Sequence, residues 1–114
     1  QVVDTTPLDV TDGIYFLKAD GAATVDVICR KDASTGSTSA ASIATLTSDT
    51  FVQLDWYYDG AGYLFYAVNG TVSGSLSVAS YFPDTSVTVS FAVQNGEAVA
   101  KTMTVDWVGV WQER

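Results

Sequence analysis

The chain has 114 residues, thirteen acidic and five basic side chains, and a formal net charge of −8. That length suits one domain with a true core, and a hydrophobic share of 47% excludes a disordered tail. The acidic excess, −6 over residues 1–60 and −2 over 61–114, excludes nucleic acid and anionic membrane as partners, because both are bound through Lys and Arg.

In chain order, residues 1–12 read as an N-terminal arm or edge segment of a single domain spanning 1–114. Turn dipeptides then recur: Asp12-Gly13, Asp20-Gly21, Asp59-Gly60, Asn69-Gly70, Pro83-Asp84 and Asn95-Gly96, with a lone Gly36 between the second and third. Between them lie short runs rich in Val, Tyr, Phe, Trp and Thr, the pattern of closely spaced strands. The expected strands are 13–19, 23–31, 40–47, 51–58, 62–69, 71–79, 86–94 and 101–112. No window has helical periodicity. Segment 33–44 is rich in Ser, Thr, Ala and Gly; it predicts a loop that passes into a weak, exposed strand.

Period-two alternation assigns the faces. Val25, Val27 and Cys29 share one face of the second strand. Val52, Leu54, Trp56 and Tyr58 share the apolar face of the fourth, and Leu64, Tyr66 and Val68 that of the fifth. Val87, Val89, Phe91 and Val93 alternate with polar residues, as Met103, Val105, Trp107 and Trp111 do with Thr104, Asp106, Val108 and Val110. Eight antiparallel strands with one apolar face each predict an all-β fold, two sheets packed as a sandwich or jelly roll.

The remaining faces of the fourth and fifth strands are mixed. Asp55, Tyr57, Tyr63 and Asn69 fall there, and rings beside carboxylate and amide groups are what sugar binding needs. The same set also suits an exposed sheet whose aromatics pair across strands or a protein interface. Asn69-Gly70-Thr71 matches the N-glycosylation pattern, although the turn accounts for it fully.

No catalytic residue is expected. Histidine is absent, which removes His-based triads and the usual zinc sites. The two glutamates, Glu97 and Glu113, stand at a turn and near the end of the sequence, not as a carboxylate pair in a cleft. Asp55/Asp59 and Asp9/Asp12 read as turn and surface residues. Asp9 and Asp12 with Thr11 offer oxygens to calcium, but such loops use more acids at tighter spacing; no metal and no cofactor are expected. The one cysteine, Cys29, cannot form an intrachain disulfide and reads as a small core residue. There is no signal-peptide pattern and no apolar run of about 18 residues.

Two stretches, "FVQLDWYYDGAGYLFYAVNGTVSGSL" (51–76) and "TMTVDWVGVWQER" (102–114), resemble concanavalin A-like and laminin-G-like jelly rolls. In the first, one strand ends in "YDG" and the next in "VNG". The second carries an Asp-aromatic-Val-x-Val-aromatic-Gln pattern at Asp106, Trp107, Val108, Val110, Trp111 and Gln112. The intervening "SYFPDTSVTVSFAVQNGE" fits the same scheme. "DGIYFLKADGAATVDVICRKD" (12–32) resembles a hairpin of tailed-bacteriophage virion proteins. This resemblance implies a non-enzymatic structural protein of a phage particle, a capsid decoration or cement protein or a head- or tail-associated one. Its partners would be other virion proteins and itself, with a trimer favoured by analogy to local three-fold axes, and its location the virion. The alternative the fold allows is an extracellular carbohydrate-binding module. Family members run longer than 114 residues, so either N-terminal strands lie elsewhere in a longer protein, or the sandwich is compact, or a neighbouring chain completes it. The lectin calcium and sugar loop has no counterpart here.

Overall fold

The computed structural model describes residues 10–32, 36–94, 98, 100 and 102–112. It is all-β: the described residues form six strands and no helix. The strands are β1 (Gly13–Leu17), β2 (Thr24–Lys31), β3 (Gly36–Thr45), β4 (Leu54–Tyr58), β5 (Tyr63–Val68) and β6 (Thr71–Ser77). They form two antiparallel three-stranded sheets, β1-β2-β3 and β4-β5-β6, consistent with a sandwich.

Local chemistry sets each connection. Asn69 and Gly70 both have positive φ, 50° and 76°, as a tight turn matched to right-handed strand twist requires. Asn69 also closes the ladder: its N–H donates to the Gln53 carbonyl at 2.9 Å, and its side-chain oxygen accepts the Gln53 N–H at 3.0 Å. The β4–β5 connection is longer than a two-residue turn. The Asp59 N–H donates to the Tyr63 carbonyl at 3.1 Å, while the Asp59 carboxylate accepts the N–H groups of Ala61 and Tyr63 at 2.7 and 2.9 Å. The side chain thus supplies the acceptor that a simple turn would take from the backbone.

Strand β3 begins four residues earlier than its composition predicts. Its small side chains pack poorly, so the β2 ladder carries it, from Thr24↔Thr45 to Lys31↔Gly36. The register breaks between Val25↔Ala44 and Val27↔Ala40. In that bulge Ser42 takes φ of 55°, and its N–H donates to the Asp26 carboxylate at 2.7 Å. A second shift separates Tyr66↔Gly74 from Ala67↔Val72.

The expected inward face of β2 is the core: Val25 is 3% exposed, and Val27 and Cys29 are fully buried. Val27 and Cys29 meet Leu64, Leu76 and Val78 from the second sheet and its exit, flanked by Ile14, Phe16, Ala40, Ile43, Tyr58, Tyr66 and Phe82. The sheets come together chiefly along β3 and β6. After β6 the chain makes one turn, with the N–H groups of Tyr81 and Phe82 both donating to the Val78 carbonyl at 2.8 Å. Phe82 stacks on Tyr58 with centroids 3.8 Å apart, and the Cys29 thiol donates to the Tyr81 carbonyl at 3.2 Å.

Two expected strands do not form among the described residues. Residues 86–94 and the described part of 101–112 have no strand partner. Their apolar side chains face water, from 44% exposure at Val105 to 84% at Trp111. Alternation prepares a segment for a sheet, but a strand exists only once a neighbour supplies the ladder. For the same reason Trp56 lies on the core side of β4 yet is 44% exposed: β4 is an edge strand with little lying across that end of the sheet.

Candidate functional site

The outward face of the second sheet is the most aromatic exposed surface among the strands. The register places Asp55 opposite Ala67 and Tyr57 opposite Phe65, so Tyr57, Phe65 and Tyr63 form one patch, each more than one-third exposed. The β6 bulge turns Val72 onto this face as well. Tyr57, Phe65, Ala67, Val72 and Asp55, together with Trp56 and Tyr66, line a shallow groove of about 100 Å³. That is well below the roughly 300 Å³ at which enclosing small-molecule pockets begin. The feature is a platform on which one flat ring can stack.

The four residues singled out from sequence separate in the structure. Asp55 and Tyr57 line the groove. Tyr63 shares the face but sits at the opposite end of β5 from Asn69, about 20 Å away at strand rise. Asn69 belongs to the hairpin, its side-chain oxygen engaged by Gln53. Gln53 joins the two polar positions: its side-chain amide donates to both Asp55 carboxylate oxygens, at 3.1 and 2.9 Å. The grouping is therefore Asp55–Tyr57–Phe65, with Gln53 behind it. Alternation signalled Phe65. Val72 reaches the face only through a register shift that β6 alone does not announce.

A second cluster lies at one end of the first sheet. Carboxylate oxygens of Asp12, Asp32 and Asp84 come within 4.8 Å of one another. Asp12 is buried at 9% exposure and accepts the Asp32 N–H at 3.1 Å. Lys31 reaches Asp84 at 2.7 Å; that bond raises the Lys31 pKa and lowers that of Asp84. Oxygen donors of this kind suit a hard cation, but Lys31 already supplies positive charge, and the contacts bind the chain after β6 to the ends of β1 and β2. Asp84 and Asp32 are distant in sequence from Asp12, and neither was legible as its partner. Asp9, Glu97 and Glu113, which entered the calcium and carboxylate-pair readings, lie outside the described residues.

The remaining nucleophile is shut away. Cys29 is fully buried, and desolvation pushes its thiol up to about 11, so it holds little thiolate near neutral pH. Among the described residues no helix is long and apolar enough to cross a membrane. Compared with known protein families, with curated proteins and with solved structures, the chain matches none.

Proposed function

We propose that this chain is a non-enzymatic structural protein that works by adhering to neighbouring subunits, as a capsid decoration or a head- or tail-associated protein of a tailed-bacteriophage particle. The assignment to a phage particle rests on the resemblance of residues 12–32 and 51–114. The adhesive mode rests on one observation: two long apolar segments, 86–94 and 102–112, are held out in water instead of being used in the core. Exposed apolar surface on this scale marks an interaction site. The body that carries it is a rigid two-sheet core, and the partners are other virion proteins and further copies of the chain.

Pelleting of the purified protein with tailed-phage heads and tails tests this reading. Saturable binding at a fixed copy number per particle supports it. Failure to bind either, combined with capture on a glycan array, overturns it in favour of a carbohydrate-binding module. The Asp55–Tyr57–Phe65 groove favours that second reading, because a sugar ring could stack on Tyr57 while Asp55 accepts from its hydroxyls. Titration with glycans monitored by Trp fluorescence, and its loss in Tyr57→Ala, is the corresponding measurement.

A further inference from the structure

We propose that segments 86–94 and 102–112 are donor strands that enter the β4-β5-β6 sheet of a second copy of this chain, beyond its open β4 edge. This rests on the adhesive reading above and names its partner. Four observations carry it. Among the described residues, the backbone–backbone hydrogen bonds outside the strands end at Phe82, so, apart from the Thr88 carbonyl that accepts the Ser90 hydroxyl at 3.3 Å, the peptide groups of both segments await a ladder. An edge strand with unpaired N–H and C=O groups is a template for another strand, and β4 ends its sheet.

Next, the chain's own β4 is within reach and is left open. Phe82 stacks on Tyr58 at the end of β4, yet the chain then runs into water, with Val87, Val89, Phe91 and Val93 all about half exposed. Area also favours exchange between copies. The eight large apolar side chains on one face of each segment, Val108 and Val110 being on the other, expose on the order of 900 Å² per chain, so reciprocal donation covers on the order of 1,800 Å² of the donated strands, the size of a standard interface of roughly 1,600 Å². Finally, residues 86–94 carry no charged side chain in a chain of net charge −8, so they approach the Asp55-bearing β4 strand without like-charge repulsion. Val87, Val89, Phe91 and Val93, set on the core side, would cover the exposed face of Trp56.

Sedimentation velocity and amide hydrogen exchange on the full chain test this, with V89D/F91D as the variant. The expected result is a dimer or larger closed oligomer with slow exchange in 86–94 and in Leu54–Tyr58. V89D/F91D should be monomeric with both regions exchanging at least tenfold faster, while β2 and β5 stay protected. A monomer with these segments unprotected overturns the inference, and so does a monomer in which they are protected, since that means docking on the chain's own sheet. A monomer that still binds phage particles overturns strand donation alone. A strand-exchanged dimer that binds no particle protein keeps it and overturns the proposed function.

Discussion

Three positions show how much single residues carry. Cys29 is fully buried in the core cluster, and its thiol donates to the Tyr81 carbonyl. Cys29→Ala removes the buried thiol and its hydrogen bond, at a cost of about 1–2 kcal/mol in urea unfolding. Because its folded pKa is raised, stability should be complete below the ordinary thiol value of 9.0 and fall as pH rises towards about 11; Cys29→Ala should flatten that alkaline decline. Asp59 acts oppositely. Backbone donation from Tyr63 and then Ala61 holds its carboxylate below the ordinary value of 3.8, so its contribution is complete above that value and is lost as pH falls through the lower folded one. Asp59→Asn keeps an acceptor but should lose this acid dependence, and Asp59→Ala should speed amide exchange at Ala61 and Tyr63 at neutral pH. At Gly74 a Cβ would meet the Tyr66 hydroxyl and, at 2.7 Å, its ring Cζ. Gly74→Ala must therefore push Tyr66 aside, at about 1–3 kcal/mol in thermal or chemical unfolding.

At the scale of elements, the hairpins were the most legible part of the chain. Asn69-Gly70 announced a tight turn, and the structure uses both its backbone freedom and its side chain. Asn69→Ala should cost about 1–2 kcal/mol, through positive φ and the lost bond to Gln53, with the loss read as faster exchange at the Gln53 amide. The strand periods of β2, β4 and β5 were equally plain, since Val25, Val27, Cys29 and Leu64 point where alternation sends them. The bulges were not. Alternation puts Asp26 on the face of β2 opposite Val25 and Val27, and only the bulge in the β3 strand beside it explains why it accepts the Ser42 N–H. The candidate site was half legible for the same reason. Alternation placed Asp55, Tyr57 and Tyr63 on one face, but the length of β5 separates Asn69 from Tyr63, and the turn engages the Asn69 side chain with Gln53.

For the whole molecule, the decisive feature is that two small sheets share one core and leave other apolar segments unused. Leu64 lies at that junction, fully buried beside Val27 and Cys29. Leu64→Ala should cost roughly 2–5 kcal/mol, and circular dichroism should show both sheets lost in a single transition, because neither three-stranded sheet has a second core to fall back on.

The sequence by itself determined that the chain is all-β, which faces of β2, β4 and β5 turn inward and where the tight turns lie. Those properties follow from side-chain period and backbone preference, which act over a few residues. Only the tertiary structure decided that six strands rather than eight form among the described residues, that Asp12 meets Asp32 and Asp84, and that Asp55 lines one groove with Tyr57 and Phe65 while the Asn69 side chain is held by Gln53. Each of those depends on which distant segment supplies a ladder, a charge or a covering surface, and alternation in one strand carries no information about its partner.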